Sequence, residues 1–243
     1  MQCVILAGGI GSRMWPATRT VPKTLLPVLD TPFADWQLSW LAHSGIHSVV
    51  YCIGYLGADV RAYVGDGSRW DVPVVYVDEG EHLLGTAGAL RLALDSGVLE
   101  DDFLVLYGDS WLQVDPVAVL QSLRGRAEPA LMTVHRNEGQ WDTSNVIFDG
   151  RRVVRYAKGL LERPAEMCWI DYGLTALRGS VLAELVPPGT VCDLAPVLSA
   201  LAAGGQLAGF EVRDRFYEIG SPQGRAELEA LLHEQPPRRS PAR

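Results

Sequence analysis

Long apolar runs are missing from this chain of 243 residues. None reaches the roughly 18 residues of a membrane-crossing helix. No basic stretch precedes the apolar run from Cys3 to Ala7, so it does not read as a secretory leader, and the cytoplasm is the expected compartment. Cysteine is scarce: the 4 residues, Cys3, Cys52, Cys168 and Cys192, stand far apart in sequence. No CxxC spacing exists, which excludes the usual zinc and thiol–disulfide motifs. Their apolar neighbours predict small buried hydrophobes. Histidine offers no metal cluster either, since Gly45 separates His43 from His47 at a helix end. Positive charge is also short, with 21 Lys and Arg against 29 Asp and Glu, a net charge of -8. A chain this acidic is a poor general binder of nucleic acid or anionic membranes. Any anion site must therefore gather its cations locally. Apolar material is plentiful at 48%, enough for a sizeable core and too much for intrinsic disorder.

Short apolar runs alternate with helical patterns through the first half. Strands are expected at Cys3 to Ala7, Val49 to Ile53, Val74 to Val77 and Phe103 to Tyr107, several stopped by glycine. Between them, Phe33, Trp36, Trp40 and Leu41 share a helical face, Ala58 to Val64 reads as a short helix, and Thr86 to Leu94 as an Ala- and Leu-rich one. This alternation with short turns is the pattern of βαβ units and a mostly parallel sheet covered on both faces. The second half is less regular. Ala130 to His135 and Trp169 to Ala176 read as strands, and Asn145 to Phe148 with Val153 to Tyr156 as a hairpin around Asp149-Gly150. Leu194 to Ala203 reads as a helix, Phe216 to Ile219 as a short strand, and Ser221 as the cap of a last helix to about Leu232. One domain over residues 1–232 is expected. Residues 233–243, with three prolines and three arginines, read as a disordered basic tail.

The most informative segment follows the first strand: Gly8-Gly9-Ile10-Gly11-Ser12-Arg13. Glycines let backbone N–H groups curl around an anion. The segment is not a P-loop, because no GKS or GKT follows at the required spacing. It is not a dinucleotide fingerprint, because Met14 stands where a third glycine belongs. Alone it is equally a tight strand-to-helix turn. Arg13 and Lys23, on a stretch stiffened by Pro16 and Pro22, add two cations beside it, a combination suited to a polyphosphate.

These residues, with Leu26-Pro27-Val28, resemble the signature of the sugar-1-phosphate nucleotidyltransferases. Later segments agree in order: Leu84-Gly85-Thr86-Ala87-Gly88, Gly108-Asp109, Lys158, and Phe216-Tyr217-Glu218-Ile219-Gly220. The resemblance implies a Rossmann-like three-layer αβα fold with a mixed, mostly parallel central sheet. It implies transfer of a nucleotidyl group from a nucleoside triphosphate to a sugar 1-phosphate, with Mg²⁺ as cofactor. Those two substrates are the expected partners; a homo-oligomer is left open. Arg13, Lys23, Asp109 and Lys158 would carry the chemistry, and Asp109 with Glu218 would hold the metal. Ala7, Gly8, Gly9, Gly11, Ser12, Glu79, Gly85, Thr86 and Gly88 would surround the nucleotide.

Four departures fall on this pattern. Glu218 replaces the usual Asp, Ala157-Lys158-Gly159 replaces Glu-Lys-Pro, Asn145 stands where Gly is common, and Asp171-Tyr172-Gly173 stands where Asn-x-Gly is common. The last three lie on the acceptor side, so Asn145, Asp171, Tyr172 and Gly173 are candidates to contact the sugar, which need not be glucose-like. The Leu-Gly-Thr-Ala-Gly wording resembles guanylyltransferases acting on mannose or heptose 1-phosphates, which favours GTP. Uridylyl, thymidylyl or cytidylyl transfer, or a catalytically silent relative that binds nucleotide sugars, are the alternatives. A glycosyltransferase is disfavoured because Asp109-Ser110-Trp111 breaks an Asp-x-Asp metal motif.

Overall fold

The apolar run behind the glycine loop forms the central strand, β1 (Gln2–Leu6). A computed structural model describes residues 1–234. Most of the expected basic tail, residues 235–243, lies outside the described residues. Residues 233 and 234 instead complete the last helix.

After β1 come a small hairpin, β2 (Pro27–Val28) with β3 (Thr31–Pro32), then β4 (Ser48–Ile53), β5 (Val74–Asp78), β6 (Asp102–Tyr107) and the two-residue β7 (Ser110–Trp111). The second half supplies β8 (Ala130–Arg136), β9 (Val146–Phe148), β10 (Val153–Tyr156), β11 (Trp169–Arg178), β12 (Leu207–Val212) and β13 (Tyr217–Glu218). β1 lies between β4 and β6 and is parallel to both, with Val4 opposite Val50 on one side and Val105 on the other. β5 extends the sheet parallel to β4. β11 enters antiparallel between β6 and β8, and β12 follows parallel to β8. β11 is therefore the reversed member among otherwise co-directional neighbours, and the β9–β10 hairpin attaches beside its start. The sheet is mixed and mostly parallel, as expected.

Side chains alternate across this sheet with the strand period of two. Cys3, Ile5, Tyr51, Leu104 and Leu106 pack on one face, under α1 (Phe33–His43), α2 (Gly57–Val64) and α4 (Pro116–Arg124). Val4, Val50, Cys52, Phe103 and Val105 pack on the other, under α3 (Gly85–Asp95), α5 (Gly179–Leu185) and α6 (Leu194–Ala203). Burying each large side chain of this kind contributes roughly 1.5–3 kcal/mol. A third cluster joins Met14, Leu26, Val28 and Trp36 to Leu228 and Leu232 of α7 (Pro222–Glu234). It clamps the segment after the glycine loop against the last helix. Ser221 caps that helix as expected, its hydroxyl accepting from Gly224 N at 3.0 Å.

The sequence reading omitted α4, α5 and β12, and the two-residue strands β2, β3 and β7. α4 carried a visible signal: Asp115 Oδ1 accepts from Val117 N and Ala118 N, and Pro116 occupies the first helical position. The cysteine expectation holds for half the set. Cys3 and Cys52 are buried, whereas Cys168 and Cys192 are partly exposed because both sit in connections outside the sheet.

Candidate active site

Parallel strands that end side by side leave a crevice beyond their carboxyl ends, where open α/β sheets bind ligands. Here β1 and β6 end together, with Gly108 N donating to Leu6 O at 2.9 Å. A Cβ at Gly108 would stand 2.9 Å from that same oxygen, so glycine is what lets the two strand ends meet. The crevice is a cavity of about 300 Å³ bordered by Ala7, Gly8, Gly9, Gly11, Lys23, Glu79, Gly85, Thr86 and Asp109. Most of the expected nucleotide-side residues are thus gathered in one place.

The glycine loop is pinned from outside. Gly8 O accepts from Tyr55 N at 3.1 Å, and Gly11 O accepts from the Thr18 hydroxyl at 2.8 Å. Gly11 adopts a φ of 65°, a conformation glycine takes at little cost. Among the described residues, no acceptor takes the backbone N–H of Gly8, Gly9, Ile10 or Gly11. A row of unsatisfied amides beside a cavity is an anion cradle.

Lys23 enters this cradle from a short 3-10 turn behind Pro22, and its Nζ lies 2.6 Å from Asp109 Oδ2. Glu218 arrives by another route. β13 pairs antiparallel with β7, setting Glu218 opposite Ser110, and Ile219 N donates to Asp109 O at 2.9 Å. The two carboxylates then converge on Gly220. A Cβ there would lie 3.1 Å from Asp109 Oδ2, 3.2 Å from Arg13 Nη2, and against Glu218 Oε2. Arg13, Asp109 and Glu218 therefore share one small space that only glycine leaves open. The Ser221 hydroxyl donates to Glu218 Oε1 at 2.6 Å. Among the described residues, no three His, Cys, Asp or Glu side chains form a metal cluster. Two converging carboxylates beside open backbone amides are a donor set that suits a hard cation, which completes its shell with further oxygens and water.

At the far end of the cavity, Glu79 lies against the Gly8 α-carbon, and its Oε2 accepts from Leu84 N at 2.6 Å. Burial raises its pKa above the usual carboxylate range, against the pull of the Leu84 hydrogen bond. The start of α3 is tied to the start of α6. Thr86 N donates to Asp193 Oδ1 at 3.3 Å, and Leu194 N donates to Thr86 Oγ1 at 2.7 Å. Cys192 O takes the N–H groups of Ala87 and Gly88. Gly88 thus serves close packing, with a Cβ there 2.7 Å from Thr190 O, and it does not border the cavity. Ser12 is likewise outside the lining.

The acceptor-side candidates lie one strand over. Asn145 Oδ1 accepts from Asp171 N at 2.9 Å, and Asp171 Oδ1 accepts from Gly173 N at 3.1 Å. Lys158 Nζ stands 3.9 Å from Asp171 Oδ2. These join the cavity through Tyr107, over whose ring Lys158 Nζ sits at 5.6 Å. Tyr172 does not join them. It is buried in the core of the opposite sheet face, its hydroxyl accepting from Gln113 N at 2.9 Å. Alternation along β11 explains the difference, since Asp171 and Tyr172 must point to opposite faces. Trp141 is half exposed in its loop and stacks on the Arg215 guanidinium at 3.8 Å.

Sequence reasoning missed Tyr107 and Asp193, both on the cavity wall. Tyr107 directly precedes Gly108-Asp109 and could have been found by that position. Asp193 is 107 residues from Thr86 and carries no local signal. Burial and then the charges of Asp171, Asp109 and Asp193 push the Tyr107 phenol well above its usual range, so it stays protonated.

A sequence model described as nucleotidyl transferase matches residues 2–166. The chain is 32% identical over 206 residues to a UTP–glucose-1-phosphate uridylyltransferase of Synechocystis, covering 80% of this chain and 53% of that protein. It is 29% identical over 228 residues to a mannose-1-phosphate guanylyltransferase of Mycobacterium tuberculosis, covering 92% and 62%. The chain thus spans between half and two thirds of the length of these two relatives. Among solved structures, a HddC from Yersinia pseudotuberculosis complexed with GMP-PN superposes with a TM-score of 0.78 at 20% identity, covering 95% of this chain and 99% of that one. That likeness is one of fold.

Proposed function

Because the chain belongs to the nucleotidyl transferase family, we propose that it transfers a nucleotidyl group from a nucleoside triphosphate to a sugar 1-phosphate and releases pyrophosphate. The observation that carries this reading is the pairing of Lys23 and Asp109 on the cavity beside the open amides of the Gly8–Gly11 loop, with Arg13 and Glu218 meeting Asp109 at Gly220. The attacking group is a phosphate oxygen, already ionised near neutral pH because its second pKa is about 6. No general base is required. The barrier is the repulsion of two anions and the charge gathering on the leaving pyrophosphate, so positioning and electrostatics supply the rate.

The Gly8–Gly11 amides hold the triphosphate, and Arg13 meets the charge of the departing pyrophosphate. Lys23, already within the cradle, moves from Asp109 onto phosphate oxygens, while Lys158 steadies the sugar phosphate. Asp109 and Glu218 are the groups that would hold Mg²⁺, which in such sites offsets phosphate charge. Glu218 reaches Gly220 with its longer arm, so the replacement of Asp keeps a carboxylate at the junction.

For the nucleotide, the reading favours GTP. Glu79 offers a carboxylate acceptor at the base end, and guanine presents N1–H and N2–H₂ donors to such a group. The test is a matrix of nucleoside triphosphates against hexose and heptose 1-phosphates with Mg²⁺, read by pyrophosphate release. GTP-dependent release with a hexose or heptose phosphate is expected. Binding of nucleotide sugar with no release from any pair would instead identify a silent regulatory relative.

A further inference from the structure

Asp109 sits on the turn from Tyr107 to Ser110 that joins β6 to β7, and one buried side chain holds that turn. Gln37 lies in α1, where it is the polar member of a buried face otherwise made of Phe33, Ala34, Trp36, Leu38 and Leu41. It is 0% exposed. Its Nε2 donates to Tyr107 O at 3.0 Å and to Ser110 O at 2.9 Å. An amide nitrogen carries two N–H groups, so a single side chain grips both flanks of the turn, with Asp109 between them. The grip extends to Glu218. Ser110 stands opposite Glu218 where β7 pairs with β13, and Ile219 N donates to Asp109 O at 2.9 Å. The same nitrogen thus anchors the backbone behind both carboxylates that meet at Gly220. The other half of the amide is unemployed: Gln37 Oε1 is buried, and among the described residues nothing donates to it. A buried acceptor without a donor is a cost to folding. Methionine would fill the same space in α1 without that cost, so what glutamine contributes here is its pair of donors.

We infer that Gln37 is the positioning residue of the Asp109–Glu218 pair. It sets Asp109 through the turn, and Glu218 through β7 and β13, while touching neither substrate nor ion. The inference rests on the nucleotidyl-transfer reading for what the two carboxylates hold, and adds the group that places them. A small divalent ion demands near-ideal octahedral geometry, so a carboxylate allowed to drift loses much of its hold. Groups that orient metal-binding side chains from behind matter nearly as much as those side chains themselves.

The experiment replaces the donors and keeps the volume. Gln37→Met should raise the Mg²⁺ concentration for half-maximal turnover about tenfold, within the usual range for loss of an outer partner. KM for the sugar phosphate, whose candidate contacts lie toward β9, β10 and β11, should stay within about twofold. Amide hydrogen exchange needs neither metal nor turnover. At Ile219 N it should quicken about tenfold, while exchange in β1 stays as in wild type. Leu38→Val trims a buried neighbour in α1 without touching the turn. It should lower Tm and leave both the Mg²⁺ requirement and exchange at Ile219 unchanged. An unchanged Mg²⁺ requirement or unchanged Ile219 exchange in Gln37→Met overturns the inference alone, as does an equal rise in Leu38→Val. Should Gln37→Met fail to fold, Gln37→Asn, with its amide drawn back by a methylene, carries the same expectations and the same refutation. Absence of turnover with every pair in wild type overturns the reading beneath, and exchange at Ile219 then decides whether Gln37 holds the turn.

Discussion

Lys23 Nζ and Asp109 Oδ2 lie 2.6 Å apart although 86 residues separate them in sequence. Each is only about one-fifth exposed, so the pair is better shielded than an ordinary surface bridge. The lysine engages one carboxylate oxygen and leaves the other open. Under the proposed reaction Asp109 would hold the metal through its open positions, and substrate phosphates would compete with it for Lys23.

Asp109→Asn should weaken that arrangement on the metal side. The Mg²⁺ concentration for half-maximal turnover is expected to rise at least tenfold, because an amide is a poorer ligand for a hard cation. An unchanged Mg²⁺ titration would remove Asp109 from the metal-holding role.

Arg13→Ala should lower kcat by about 10²–10³-fold, the usual cost of deleting one donor to developing charge. The guanidinium reaches the Gly220 junction from outside the core, so the melting temperature should stay near that of wild type. Turnover and thermal melts on the same preparation decide it, and near-normal kcat would contradict the assignment.

Gly85→Ala should be destabilising without touching a reacting group. Gly85 has a φ of 73°, and its Cβ would stand 2.7 Å from Cys192 O. Strain of this kind costs on the order of 1–3 kcal/mol, a loss of roughly 3–10 °C in Tm for a chain of this size. A Tm equal to wild type would mean that the contact between the starts of α3 and α6 is loose.

Glu79 gives a pH-dependent test. Its pKa is raised by burial, so its contribution to stability is fully present below the ordinary carboxylate pKa. That contribution is lost as pH rises through the raised value. At neutral pH the ionised side chain is a burden that a neutral amide would not carry. Glu79→Gln should therefore melt higher than wild type at pH 7, and the gap should close toward pH 4. A gap independent of pH would show that ionisation of Glu79 is not its cause.

The sheet was legible in the sequence where a strand is buried on both faces. Cys3 to Ala7, Val49 to Ile53 and Phe103 to Tyr107 each read as continuous apolar runs, and β1, β4 and β6 lie there within a residue or so. The place of β11 was not legible. Nothing in Trp169 to Ala176 announces a reversed strand inserted between β6 and β8, because pairing partners are set by global topology and not by local pattern. The site divides along the same line. The Gly8–Arg13 loop and Gly108-Asp109 announce themselves by local chemistry. Asp193 and Tyr107 matter through neighbours that only the fold supplies. Tyr172 went astray because its motif position suggested a contact that strand alternation directs to the other face.

Leu228 and Leu232 of α7 pack against Met14 and Leu26, on either side of Lys23. The segment carrying both early cations is thus braced by residues translated some two hundred positions later. Phe33, Trp36 and Trp111 complete the same cluster, so loosening α7 would displace the cation-bearing segment without touching any group that borders the cavity.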